Sequence, residues 1–423
     1  MSEPLIPPRL RDDCFAMPQG VDWISVEDAQ TRLRAILPPV KQMETLTTAQ
    51  AAGRVLAQDC IAQRSNPPAP NSAVDGYGFA HVATGAGVQT LPLVNGRAAA
   101  GQPYDQEVPA GHAIRILTGA ILPKGVDTVV LEEDCSTDAT RVAFDGPIKP
   151  NANTRKAGED VQEGQIALTK GHRLRPPDIA LLTALGIAQV TVFRPLRVGV
   201  LSTGDELLAD PSIQGGAHNI YDANRPMLLS LIAGWGYTPV DLGHAPDDAD
   251  AIRAKLDNGA QHADVILTSG GASAGDEDHV SRLLRDTGSL SSWRIALKPG
   301  RPLALALWQG APVFGLPGNP VAAFVCALIF AHPALAQMSG AGWQAPAGLT
   351  VPAAFSKNKK PGRREYLRAR LNSDGAAEVF ASEGSGRISG LAWAEGLVEL
   401  PDEAIAVQPG TPVRFLPYAG FGI

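Results

Sequence analysis

Three segments of one shape constrain this chain more than anything else in it: VGVLSTGDEL (198–207), DVILTSGGASAGDEDHV (264–280) and VFGLPGNPVAAF (313–324). Each is a short apolar run that breaks at a glycine. Around them, apolar runs alternate with helix-patterned stretches over 197–331. That alternation implies a mainly parallel sheet with helices on both faces. The expected strands are 197–201, 239–242, 264–268, 295–297, 303–307 and 313–316. Helices are expected from Asn224, near Asp248, near Asp278 and from Pro320. In such sheets ligands bind beyond the carboxyl ends of the strands, and all three glycine breaks fall at such ends.

Glycine lets a backbone approach a phosphate with no Cβ in the way, and the N–H groups of a following helix start favour an anion. The candidate ligand-binding set is therefore Ser202, Thr203, Gly204 and Asp205, then Ser269, Gly270, Gly271 and Ser273, then Pro317, Gly318, Asn319 and Pro320. The neighbouring acids Asp205, Glu206, Asp276 and Asp278 would repel a phosphate unless a cation lies between. Mg²⁺ binds one or two carboxylates together with phosphate oxygens. Any one loop could be an ordinary strand-to-helix turn; three at one sheet edge argue for a phosphate site. KPGRP (298–302) puts Lys298 and Arg301 on a turn, with Arg294 four residues before Lys298. These cations would neutralise phosphate, or else decorate a solvated hairpin tip. The basic run 357–370 reads as an exposed β edge kept soluble by charge.

Elsewhere a helix is expected over 25–37 with Ser25 as its cap, a short one from Thr47 or Thr48 to Gly53, and one capped by Asp178 and stopped at Gly186. Residues 55–165 and 345–423 have β texture. With 44 Gly and 35 Pro, the chain exceeds the average usage of roughly one residue in eight, so tight turns are many. The net charge of −7 argues against a general nucleic-acid binder. Cys14, Cys60, Cys135 and Cys326 are scattered, which speaks against a disulfide framework or structural zinc. The histidines show neither metal spacing nor a Ser-His-Asp set. No signal peptide is evident. The longest apolar run, 321–331, falls short of the ~20 residues that span a bilayer. A cytoplasmic protein without a membrane segment is expected.

The motifs SAVDGYGF, RILTGA, RKAGEDV, STGDEL, SGGASAGDEDH, KPGRP, LPGNP and GRREYLRA occur in this order from residue 72 onward. Together they make the chain resemble the molybdopterin molybdenumtransferase family (MoeA type), to which the E domain of gephyrin is also similar. The resemblance covers about residues 20–420. It implies a multidomain α/β plus β fold: an N-terminal segment with part of a linker domain (1–54), an inserted β-rich domain (55–165), the return of the linker domain (166–194), a three-layer α/β/α domain with a mainly parallel sheet (195–340) and a C-terminal β-barrel (345–423). It implies a homodimer with each active site at the subunit interface, and an adenylyltransferase of the same pathway as a possible partner. The implied reaction takes adenylyl-molybdopterin and molybdate, with Mg²⁺, and releases AMP. Molybdopterin adenylyltransferase and a non-catalytic scaffold are the alternatives.

The implied functional positions are Asp75, Thr118, Asp160, Glu206, Asp247 (or its neighbour Asp248), Asp278, Arg294 and Lys298, with Pro317 and Pro320 as the paired prolines. Glu206, Asp247 and Asp278 are the implied metal ligands, and Arg301 joins the cations. The chain departs from the family pattern at Val74, where Met is usual, and at Arg294, where Lys is frequent; Arg keeps the charge and changes the donor geometry.

Overall fold

Parallel strands covered on both faces must be apolar along their whole length. The strands that carry the glycine breaks meet that demand: Val198, Val200, Val265, Leu267, Phe314 and Leu316 are fully buried. The computed structural model describes residues 23–40, 42–270, 279–286, 291–300, 302–384 and 386–423. The chain divides into two units, Met1–Gln42 with Arg194–Ile423, and Met43–Phe193.

In the first unit the elements are β1 (Trp23–Ile24), α1 (Val26–Ile36), β2 (Arg197–Thr203), α2 (Asn224–Gly234), β3 (Thr238–Ala245), α3 (Ala249–His262), β4 (Val265–Ser269), α4 (His279–Asp286), β5 (Ser291–Ile295), β6 (Pro302–Trp308), β7 (Ala311–Leu316) and α5 (Pro320–Cys326). The sheet order is β1-β5-β6-β7-β4-β2-β3. β7, β4, β2 and β3 run parallel, as do β1 and β5, while β6 is antiparallel to both its neighbours. The sheet is thus mixed, and its parallel part holds the three glycine-bearing ends side by side. Alternate residues of β4 enter different apolar clusters. Val265 and Leu267 pack with Leu33, Leu228 and Phe330, whereas Ile266 packs with Ile252, Leu256 and Leu284. Each such buried side chain contributes ~1.5–3 kcal/mol.

Ser25 caps α1 as expected, accepting from Asp28 N at 3.0 Å. Helical structure after α5 continues to Met338, giving 19 residues of mean hydropathy 1.8. This corrects the apolar run counted from sequence: the helix is long and apolar enough to cross a membrane, but 89% of that window is buried inside the fold.

The C-terminal part pairs Arg364–Leu371 with Gly396–Leu400, and that strand with Pro412–Pro417, all antiparallel, over a core of Ala369, Val398, Leu400 and Phe415. The expected exposed edge at 357–370 is overturned. Arg364–Leu371 is an interior strand, flanked by Leu297–Lys298 on one side and Gly396–Leu400 on the other. Arg368, only 4% exposed, donates to the carbonyls of Arg387, Ser382 and Gly384 and so ties these three residues to the sheet. The connection between the antiparallel pair β5 and β6 is likewise no freely solvated hairpin tip, because within it Leu297–Lys298 pairs with Arg364–Glu365.

In the second unit, six strands run in the order Thr128–Leu131, Gly76–Phe79, Ala113–Ile116, Gly87–Ala98, Arg141–Gly146 and Cys135–Thr137. Phe79 stacks on Phe144 in its core, with ring centroids 4.9 Å apart. A smaller core of Leu56, Leu174, Leu182 and Val192 joins Met43–Thr47, Gln189–Phe193 and the helix Pro176–Ala184. Two local expectations fail here. The helix expected from Thr47 or Thr48 is a single 3₁₀ turn, Thr48–Gln50. Asp178 is not the cap residue of its helix but sits in the first turn, because Pro176 starts the helix and Arg175 is the cap. Its carboxylate accepts from Arg175 N at 2.7 Å and faces His172 Nε2 at 2.8 Å.

Candidate functional site

The rim is built by three strand ends that touch in turn. β2 and β4 are in register so that Ser202 pairs with Ser269. Gly270 follows at φ +94°, and a Cβ there would lie 2.5 Å from Thr203 O. A Cβ at Gly318 would lie 3.5 Å from Gly270 Cα. The loops after β2, β4 and β7 therefore converge, and glycine at position 270 is required by both its backbone conformation and the close approach. Ser202, Thr203 and Ser269 are all buried. The hydroxyls of Ser202, Thr203 and Thr268 have no hydrogen-bond partner among the described residues.

Gly204, at φ +141°, lies under the carboxylate of Glu206, whose Oε2 would be 2.5 Å from a Cβ. His244 Nε2 is 2.7 Å from Gly204 O. A carbonyl only accepts, so this nitrogen carries the proton. Asp205 and Asp247 embrace: Asp205 N donates to Asp247 Oδ2 at 3.3 Å and Asp247 N to Asp205 Oδ1 at 3.0 Å. Asp247 thus stands beside the β2 loop. Asp248 instead caps α3, accepting from Ala251 N at 2.8 Å.

Asn319 caps α5, its Oδ1 accepting from Val321 N at 3.1 Å and Ala322 N at 3.4 Å, with Pro320 as the first helical residue. Pro317 leads from β7 into this turn. Gly271, Ser273, Asp276, Asp278 and Arg301 lie outside the described residues, as does the side chain of Arg294, whose backbone is in β5.

Sequence reasoning missed Asn224. It opens α2 and is 7% exposed. Its Nδ2 donates to Ser269 Oγ and to Gly318 O, both at 2.7 Å. The signal lay in the NIYDANRP stretch (219–226), where Asp-Ala-Asn before a helix looks like ordinary capping.

Among the described residues no three His, Cys, Asp or Glu side chains converge as a metal cage. Mg²⁺ needs less, one or two carboxylates completed by phosphate oxygens and water. Glu206, in the loop after β2, and Asp247, which follows β3 and bonds to Asp205 of that loop, fit that donor set.

Lys298 lies in a separate charged cluster. Its Nζ is 2.7 Å from Glu383 Oε2 and 3.6 Å from Glu365 Oε1. Lys357 also contacts Glu383, and its Nζ is 3.2 Å from Glu365 Oε2. Burial would raise the Glu383 carboxyl, but hydrogen bonds from Lys298 and Lys357 outweigh it and hold the group below its ordinary range. A cavity of about 190 Å³ adjoins this cluster, lined by Lys298, Ser356, Tyr366, Arg368, Ser382 and Glu383 among others. A larger one, about 810 Å³, lies at the amino ends of the same sheet, with mostly apolar walls that include Leu37, Val40, Leu305 and Met338. Its Arg197 and Asp264 are paired with each other, so it offers a phosphate little.

In the second unit, Thr118 donates to Asp75 Oδ1 from both its N and its Oγ1, each at 2.6 Å. The hydroxyl bond, then the backbone one, draws the Asp75 carboxyl below its usual pKa. Asp160 Oδ2 accepts from Asn66 Nδ2 at 2.9 Å.

Comparison with known proteins bears on all of these parts. Residues 24–186 match the MoeA N-terminal region (domain I and II), 199–337 a probable molybdopterin binding domain, and 350–418 the MoeA C-terminal region (domain IV). The molybdopterin molybdenumtransferase of Haemophilus influenzae is 35% identical over 404 residues, covering 93% of this chain and 98% of that protein. Molybdopterin molybdenumtransferase 2 of Mycobacterium tuberculosis is 31% identical over 391 residues, covering 88% and 94%. A crystal structure of the molybdopterin biosynthesis MoeA protein from Pyrococcus horikoshii OT3 superposes with a TM-score of 0.82 at 29% identity, covering 94% of this chain and 100% of that one.

Proposed function

The chain belongs to the molybdopterin molybdenumtransferase (MoeA) family of molybdenum cofactor biosynthesis, and we propose that it uses the rim formed by β2, β4 and β7 to hold adenylyl-molybdopterin while molybdate is taken up and AMP released. The single observation that carries this reading is the contact of the three glycine loops, Gly270 on Thr203 and Gly318 on Gly270. Such a rim lets backbone reach a diphosphate closely. Ser202 and Thr203 bring buried hydroxyls without partners among the described residues, which a phosphate oxygen satisfies.

Phosphoanhydride cleavage asks the protein for alignment and charge balance more than for covalent help. Ser202 and Thr203 orient the phosphates, and Ser269, held by the Asn224 amide, fixes the end of β4 beside them. Glu206 and Asp247, with Asp278, would hold Mg²⁺, which neutralises phosphate charge when bound. Lys298, Arg294 and Arg301 balance anionic charge; in the charged cluster Glu383 and Glu365 keep Lys298 in place until an anion competes for it. Asp75, Thr118 and Asp160 are proposed as functional positions of the other unit. On the same footing stand a three-layer binding domain, a C-terminal barrel, a homodimer and a cytoplasmic location.

The test is to supply purified protein with adenylyl-molybdopterin, Mg²⁺ and molybdate. AMP and metal-loaded pterin are expected together. Adenylylation of free molybdopterin by ATP would instead support an adenylyltransferase, and binding without turnover a scaffold.

A further inference from the structure

Asn224 holds the rim together in a way that its neighbours cannot replace. Gly318 O can only accept, so the Asn224 atom 2.7 Å from it is the amide nitrogen. That nitrogen has two protons, and both are committed: one to Gly318 O and one to Ser269 Oγ. The residues it joins lie 45 and 94 positions away in the chain, one at the end of β4 and one in the turn after β7. The amide oxygen is buried with no partner among the described residues.

The start of α2 is itself fixed. Asp222 accepts from Arg225 N and Nε, both at 3.1 Å, and Arg225 reaches both oxygens of Asp241 at 2.8 and 2.6 Å. The Asp222 and Arg225 side chains are 1% and 15% exposed. Asn224 therefore has little freedom, and the end of β4 and the turn after β7 are referred to a rigid point on the helix.

The geometry points to Asn224 as a positioning residue for the substrate phosphates: its amide locks the end of β4 to the turn after β7 at the spacing the ligand requires. This rests on the function proposed above. It assigns Asn224 no contact with the reacting atoms. Its loss should weaken substrate binding while leaving the chemical step intact.

The experiment measures KM and kcat for AMP release from adenylyl-molybdopterin by Asn224→Ala, Asn224→Asp and Ser269→Ala, with melting temperatures and amide hydrogen exchange over 316–321. Losing two hydrogen bonds predicts a rise in KM of roughly 10–100-fold for Asn224→Ala, with kcat nearly unchanged and faster exchange in that segment. Asn224→Asp, of the same shape but without a donor, should be at least as impaired. Ser269→Ala breaks one of the two bonds and should raise KM by less, and adding it to Asn224→Ala should change little. KM and exchange at wild-type values would overturn the inference, as would kcat falling in step with a lowered melting temperature. If Asn224→Ala does not fold, Ser269→Ala with an unaltered melting temperature decides, an unchanged KM counting against the role. If the wild-type protein releases no AMP, the functional reading fails. The exchange measurement then still decides whether Asn224 locks the loops.

Discussion

The same parallel strands end in two different chemistries. At their amino ends the charged groups find protein partners, although Arg197 Nε is buried without one among the described residues. Asp264, just before β4, accepts from Arg194 through both oxygens at 3.0 Å, from Arg197 N at 2.8 Å and from Arg197 NH2 at 3.0 Å. At their carboxyl ends the hydroxyls of Ser202, Thr203 and Thr268, and beside them the amide oxygen of Asn224, are buried without partners among the described residues. Leaving a buried polar group unmade costs ~1–3 kcal/mol. Such groups gathered at the carboxyl end, opposite the ion network of Arg194, Arg197 and Asp264, are what the proposed function expects of a ligand-holding end.

The contrast can be broken most forcefully at Asp264. Replacing it with Ala strands two arginines and a backbone N–H. We expect a loss of about 2–4 kcal/mol, read by denaturant unfolding, below the fully buried limit because the Arg197 side chain is 37% exposed. Turnover per folded molecule should be retained. On the rim, Gly270→Ala forces a side chain into the left-handed region and against Thr203 O. About 1–3 kcal/mol of destabilisation is expected, together with lost AMP release, since the loops must part; wild-type kinetics would show that their contact is dispensable.

A gentler probe is pH. Burial would raise the Asp264 carboxyl, but the bonds from Arg197 and the charges of Arg194 and Arg197 outweigh it and hold the pKa below its usual value. A carboxylate depressed in the folded state stabilises fully above the unfolded pKa of about 4 and loses that contribution as pH falls through the folded value. The melting-temperature gap between wild type and Asp264→Ala should be constant near neutrality and narrow in acid. A gap that widens in acid would contradict the assignment.

Much of this was legible in the sequence because it is local. The apolar runs 197–201, 264–268 and 313–316 announce β2, β4 and β7, and Asn319-Pro320 announces α5. What escaped is long-range. Asn224 acquires its role only from residues far along the chain. The basic run 357–370 reads as an exposed edge until its pairing with Leu297–Lys298 and Gly396–Leu400 buries Arg368. Asp178 resembles a cap because an acid near a helix start satisfies backbone N–H groups from more than one position.

The division of labour between the two ends is tested most directly by Thr203→Val, which removes a hydroxyl without a partner among the described residues, with little change of shape. Stability and AMP release should be measured on the same preparation. The account predicts a melting temperature at or slightly above wild type and a KM for adenylyl-molybdopterin raised about tenfold. A lowered melting temperature with an unchanged KM would mean that the hydroxyl serves the fold and that the carboxyl rim does not hold the substrate.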